Sequence, residues 1–281
     1  MDAVSRIDAS VAQAAAPTDA HAVWLAGQRW LRWKRLLLPL VGAASLLFVW
    51  WALVAVLQVK PFIAPAPQVV AVTLWQKADI LLANLEPTVI EAVSGFLIGN
   101  FCAIALATLF VHRKSIEMAF LPIVVLLNSI PVVAKAPILV LLLGNGFSPK
   151  IAIAAIICFF PTLVNMVRGL EAVSPQALEL MHVLSASKWE IFTRLRLQSS
   201  VPYLFAALKI SASAAVVGAI VGEWIGSQEG IGALIIQATY AFDSALLYAT
   251  VICGSTFSVL FYLTIKLLER LCVRWVPPAT G

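Results

Sequence analysis

The chain has 281 residues, of which 62% are apolar and only 12% charged, with a formal net charge of +5. Soluble domains carry about 25% charged residues, so this composition excludes an ordinary soluble protein and predicts an all-α polytopic membrane protein. The four cysteines (Cys102, Cys158, Cys253, Cys272) form no C-x-x-C pair, and His21, His112 and His182 have no metal-ligand spacing, so neither metal nor redox chemistry is expected.

Residues 1–30 are Ala-rich and polar, without the apolar core of a signal peptide, and read as a disordered cytoplasmic tail. Apolar runs of bilayer-spanning length then give six candidate transmembrane helices, at about 36–57, 88–111, 118–143, 149–168, 202–224 and 245–268. The domain reading is a first transmembrane helix within 31–60, a core over 61–270 with a cytoplasmic loop at 170–200, and a short cytoplasmic tail over 271–281. Between the first two spans, residues 61–79 are Pro-rich and then amphipathic, which suits a loop and short helix on the membrane surface.

The second span carries small residues at i, i+4 spacing (Gly95, Gly99, Ala103, Ala107), and the fifth repeats the pattern (Ala214, Gly218, Gly222, Gly226). Such ladders let helix backbones approach closely in lipid. They serve packing within the chain or contact with another subunit, the latter a reading that the family resemblance given below implies.

The third span contains Pro122, Pro131 and Pro137, each of which removes a backbone donor, so a kink or local break is expected. Asn128, Ser129 and Lys135 lie near its middle. A lysine at bilayer centre costs about 2.5–3.5 kcal/mol on insertion scales. It must therefore face a cavity, pair with an acid such as Glu91 or Glu223, or snorkel outward. In the first case it would attract anions along a translocation path, to which Thr162 and Asn165 of the fourth span are further candidates. For those two, a satisfied polar contact between helices is the rival reading.

Residues 174–202 interrupt the apolar pattern. Ser174-Pro175 is an N-cap followed by proline at the first helical position, predicting a short helix over about 175–184. After Ser185-Ala186-Ser187, the S-x-x-E pattern of Ser187 and Glu190 predicts a capping box and a second helix with Ile191, Phe192 and Leu195 on one side. Apolar residues on both helices point to a docking site for a cytoplasmic partner, or to a loop resting on lipid headgroups through Lys188, Arg194 and Arg196. Beyond the fifth span, "GSQEGIG" (Gly226 to Gly232) predicts a re-entrant turn or a surface loop, with Glu229 solvated.

With a cytoplasmic N-terminus, fifteen of the 19 basic residues fall on the inner side. Only Lys60, Lys77 and Lys150 fall outside, and Lys135 lies within a span. Both termini and the 174–202 loop are thus expected to be cytoplasmic. The same bias accounts for the net charge without a nucleic-acid partner.

The spacing Glu179-Leu180-Met181, Ser185, Leu195, Leu197-Gln198 resembles the cytoplasmic signature loop of ABC-importer permeases. That loop reads Glu-Ala-Ala, three residues, Gly, nine residues, Ile, one residue, Leu-Pro. Here both alanines, the glycine and the proline are replaced. "NSIPVVAKAPILVLLLGNG" (Asn128 to Gly146) and "VGEWIGSQEGIGALI" (Val221 to Ile235) resemble the permease branch serving nitrate, sulfonates, taurine and pyrimidine-type compounds. The similarity in pattern covers about residues 60–270.

The resemblance implies a type I importer permease of the bacterial inner membrane. It implies a coupling helix at about 176–190, whose residues Glu179, Leu180, Met181, His182, Ser185, Ser187 and Trp189 would meet a separate ATPase. It further implies two ATPase subunits, an extracytoplasmic binding protein and a second permease, expected to be identical. No cofactor is expected in this chain; ATP is used by the partner, since no G-x-x-x-x-G-K-[ST] occurs. The permease would provide path and coupling without catalysis. Serine where the family has glycine predicts either a negative φ at Ser185 or local strain. Lysine at 135, where the family is usually apolar or aromatic, is this chain's own feature. The alternative is a secondary transporter driven by an ion gradient, whose inverted repeats are not visible here.

Overall fold

The computed structural model describes the backbone of residues 17–273, and side chains for Lys34 and for 37–273. The outermost parts of both expected tails, 1–16 and 274–281, lie outside the described residues. No strand occurs among the described residues. They divide after Lys60 into two compact units, each considered by itself.

The first unit holds α1, Pro17–Val56, with a 20-residue apolar span at Leu37–Val56. Residues 17–30, expected as tail, are therefore helical. Pro17 stands at the first helical position, where its missing N–H costs nothing, and good helix formers such as Ala20, Ala22 and Leu25 follow.

The second unit contains α2 (Pro67–Gln76), α3 (Ala78–His112), α4 (Lys114–Ser129), α5 (Val132–Leu143), α6 (Phe147–Glu171), α7 (Pro175–Val183), α8 (Lys188–Ile191), α9 (Leu197–Glu223), α10 (Ile231–Tyr240) and α11 (Ser244–Cys272). A single π-helical turn, Phe192–Arg196, joins α8 to α9, so Lys188–Glu223 forms one 36-residue apolar rod. The fifth span thus starts earlier than expected. Pro202 sits inside the rod because it forfeits only one bond, to the Gln198 carbonyl. Likewise α3 begins ten residues before the expected 88 and runs through Pro87.

The third expected span is two helices, bent by 100° at Ile130-Pro131. Ile130 has φ −70° and ψ 126°, the extended geometry that a following proline imposes. Pro122 and Pro137 stay inside α4 and α5, so of the three prolines only Pro131 breaks the helix.

At the centre of the unit, α6 packs along both α3 and α9. The two small-residue ladders explain this. A Cβ on Gly95 would overlap Ala154, one on Gly99 would overlap the Ala155 carbonyl, and one on Gly218 would lie 2.8 Å from the Ala154 Cα. One on Gly222 would lie 3.2 Å from the Lys150 Cα of α6. Both ladders therefore seat α6 inside the chain, where close van der Waals contact replaces the missing hydrophobic drive. Gly226, expected as the ladder's last rung, is not a packing residue: α9 ends at Glu223, and Gly226 turns at φ +74° beside Asn145.

A polar knot ties the three helices at mid-length. Thr162 Oγ1 donates to Asn100 Oδ1 (2.5 Å) and lies 3.0 Å from Ser211 Oγ, and Cys158 Sγ bonds to the Ser211 carbonyl. All four cysteines are free thiols, and Cys158 fills the core.

Candidate functional site: a coupling surface and a cavity beside the broken span

The loop after α6 folds as two capped helices. Ser174 Oγ accepts from the Ala177 N–H (3.3 Å), closing the start of α7. At α8 the capping box is complete: the Glu190 N–H donates to Ser187 Oγ (3.2 Å), and the Ser187 N–H donates to Glu190 Oε2 (2.8 Å).

Between them Ser185 has φ +54°. The Ala186 N–H donates to the Met181 carbonyl and the Ser185 N–H to the His182 carbonyl, both at 2.9 Å. These are the paired bonds of a Schellman motif, which needs a left-handed residue at the position Ser185 holds. Of the two expected alternatives, strain is the one observed.

The two helices part company in burial. Ile191 and Phe192, expected to face a partner, are instead buried, and Phe192 joins the chain's own core with Ala103, Phe110, Met166 and Leu170. The Phe192 ring lies 4.8 Å from His112 of α3 and 5.9 Å from Trp189. By contrast α7 buries nothing, and Leu180, Val183, Leu184 and Trp189 are 60–80% exposed. Glu179, His182 and Ser187 are exposed and Met181 half-buried on the same element. Beside the base of the loop, Lys114 bridges Glu117 and Glu171 at 2.8 Å each. Of the exposed apolar residues, Trp189 lies beside Phe192, which packs on α3 and α6.

The second feature is a half-open cavity of about 380 Å³ at the α4–α5 bend, walled on one side by Ile156, Phe159 and Phe160 of α6. Asn128 and Lys135 lie along it, but its lining surface is almost wholly apolar. Among the described residues Lys135 has no ion pair. Its two candidate partners are engaged elsewhere, so that expectation is corrected. Ser129 turns back on its own helix, donating to the Val125 carbonyl (2.9 Å). Neither Thr162 nor Asn165 lines this cavity. Thr162 is fully buried in the knot, and Asn165 Nδ2 donates to the Pro161 carbonyl (2.7 Å).

Glu91 and Glu223 form, with Lys150, a cluster at the end of the unit away from α7. Lys150 Nζ lies 3.1 Å from Glu91 Oε1, and both carboxyl side chains are essentially fully buried. Glu223 accepts from Thr88 Oγ1 (2.5 Å) and from the Gly232 N–H. Thr88 in turn accepts from the Ile231 N–H (2.9 Å), and Asn84 Oδ1 accepts from the Gly230 N–H (3.0 Å). Gly230, at φ +115°, leaves no room for a Cβ against the Glu223 carboxyl. The "GSQEGIG" segment is thus a turn pinned to α3 and α9, and it opens α10, a short apolar helix absent from the six expected. Lys150 was legible as a partner, since it falls at the same end of its span as Glu91 and Glu223.

Residues 95–276 match the family described as binding-protein-dependent transport system inner membrane component. The chain is 32% identical to the riboflavin transport system permease protein RibX of Chloroflexus aurantiacus, over 86% of this chain and 91% of that one. It is also 32% identical to the formylaminopyrimidine transport permease protein ThiX of Halalkalibacterium halodurans, over 82% of this chain and 92% of that one. A solved structure of the MetNI methionine ABC transporter in inward-facing conformations shares the fold, with a TM-score of 0.56 at 18% identity, covering 71% of this chain and 97% of that one. Apolar helices of spanning length and this match together give a multi-pass membrane protein. The chain belongs to the family of binding-protein-dependent inner-membrane components, the permease subunits of ABC transporters.

Proposed function

We propose that the chain forms the membrane path of an importer for a small planar nitrogen heterocycle, driven by separate ATPase subunits that dock on α7 and α8. The single observation that carries the coupling reading is the exposed apolar platform of Leu180, Val183, Leu184 and Trp189 on capped helices. Capping fixes the local geometry of α7 and α8, and Trp189 lies beside Phe192, which packs on α3 and α6, so a push on α8 reaches those helices. The platform would lie on the cytoplasmic side of a bacterial inner membrane, with both termini. A second permease copy and an extracytoplasmic binding protein would complete the assembly.

The substrate reading rests on the relatives. RibX is named for riboflavin and ThiX for formylaminopyrimidine, both flat nitrogen heterocycles. A mostly apolar cavity with two phenyl rings supports that class over nitrate, sulfonate or taurine-like anions.

The test is purification of the solubilised chain from its native membrane beside a Glu179→Arg variant. An ATP-hydrolysing chain should accompany the native protein and be lost from the variant. A native chain that keeps its fold and brings no ATPase would contradict the reading and favour an ion-gradient-driven transporter.

A further inference from the structure

The end of the core unit away from α7 buries more acid than base. Glu91 of α3 and Glu223 of α9 are 0% and 1% exposed. Their carboxyls lie within hydrogen-bonding reach of each other. Lys150 of α6, with Nζ 3.1 Å from Glu91 Oε1, is the charged group that faces the pair among the described residues. The turn and α10 bring the Gly232 N–H and no charge, since Glu229 of the turn is exposed. At the start of α11, Asp243 is paired with Lys77.

Two carboxylates opposite one ammonium leave a net negative charge inside the protein, which is costly. The hydrogen bonds locate the imbalance. Glu223 accepts from Thr88 Oγ1 (2.5 Å) and from the Gly232 N–H, so a carboxylate is satisfied there. Glu91 Oε2 is buried and has no hydrogen-bond partner among the described residues. Two ionised carboxyls in contact are both acceptors and cannot serve each other. One proton on Glu91 turns an acceptor into a donor toward Glu223. It also brings the summed charge of the three groups to zero.

We propose that Glu91 and Glu223 form a proton-binding site that holds one proton between them, and that this proton keeps the Gly226 to Gly232 turn closed on α3 and α9. The ligand comes from water and returns to water as pH rises, with no bond of the chain broken. Its loss leaves two carboxylates repelling each other beside a single lysine. The same groups hold the turn: Glu223 accepts from Gly232, Thr88 links Glu223 to the Ile231 N–H (2.9 Å), and Lys150 Nζ donates to Ser227 Oγ (2.7 Å). Repulsion at the pair is therefore felt first at the turn. The site stands apart from the substrate and ATPase readings.

The test is infrared spectroscopy of the full chain in lipid nanodiscs, from neutral to alkaline pH. A protonated carboxyl absorbs well above the carboxylate bands, and its band shifts in heavy water. The band is expected in wild type at neutral pH, should fade as pH rises, and should persist in Glu117→Gln, which alters a different buried acid. It should be lost in Glu91→Gln, and also in Glu223→Gln, where one acid faces one lysine. Thermal unfolding identifies a variant that fails to fold; if Glu91→Gln does, Glu223→Gln decides. Hydrogen exchange of residues 225–232 is then compared below and above the pH at which the band fades, with exposed α7 as the reference for the intrinsic rise in exchange. Protection of the turn should fall several-fold in wild type and stay level in Glu91→Gln. Absence of the band from wild type at neutral pH, or its survival in Glu91→Gln, would overturn the site. A band that never fades while the chain stays folded, or turn protection that does not change when it fades, would overturn the coupling to the turn.

Discussion

The two ends of the core unit solve opposite problems. Away from α7, the buried carboxyls of Glu91 and Glu223 meet partners from within the chain: Lys150 pairs with Glu91, and Glu223 accepts from Thr88 and from the Gly232 N–H. At the α7 end, large apolar side chains (Leu180, Val183, Leu184, Trp189) are exposed on helices whose own hydrogen bonds are capped. At the first end each buried carboxyl is paired from within the chain, although Glu91 Oε2 has no hydrogen-bond partner among the described residues. The second is finished as local structure and unfinished as a surface. Burial of charge without compensation and exposure of apolar area without a cover both cost free energy; the molecule offsets much of the first cost itself, and on the proposed function the second is met by the ATPase.

The comparison breaks most sharply at Lys150. Replacing it with methionine leaves Glu91 buried beside no cation, and loss of one partner of a buried pair costs about 3–5 kcal/mol. Thermal unfolding in detergent should show a large drop for Lys150→Met, with much of it restored by adding Glu91→Gln. Next is Gly99→Val, which drives a side chain into the Ala155 backbone and should cost about 1–3 kcal/mol by the same assay.

A gain is expected at Ser185→Gly. The serine holds a left-handed conformation that costs a non-glycine residue about 1–2 kcal/mol. Hydrogen exchange in the last turn of α7 should slow several-fold, and Ser185→Val should hasten it.

A smaller effect is expected at Asp243, which caps α11 by accepting from the Leu246 N–H (3.0 Å) and pairs with Lys77 at 2.8 Å. Lys77 first, and the Leu246 amide second, hold its carboxyl below the usual range. A depressed folded value means the stabilisation is present above the ordinary carboxylate value near 3.9 and is lost as pH falls through the folded one. Partly exposed pairs contribute under about 1 kcal/mol, so Asp243→Asn should flatten only the acid limb of the stability–pH curve. Smallest of all in stability, within about 0.5 kcal/mol, is Val183→Ser with Leu184→Ser. That pair should nevertheless abolish co-purification of an ATPase.

The sequence made the helices legible wherever apolar runs met bilayer length, and it made the loop legible through its caps, because capping chemistry is local. Ser174, Ser187 and Glu190 act as their spacing predicts. What lay beyond reach was tertiary. Nothing local distinguishes Pro131, which breaks its span, from Pro122 and Pro137, which do not. The residues 231–240 are too few to read as a span, yet Ile231 and Leu234 are buried in the core unit. Thr162 and Lys135 look alike as polar residues in apolar runs. Only the packing separates the knot with Asn100 and Ser211 from the cavity with Asn128.

The most direct test is hydrogen–deuterium exchange over residues 174–190 and 225–232. It would be measured on the chain alone and on the assembly isolated from native membranes. The account predicts that α7 exchanges quickly in the chain alone and is protected in the assembly, while the Gly230 to Gly232 turn stays equally slow in both. Equal exchange of α7 in the two samples would contradict the claim that its apolar surface is completed by a partner.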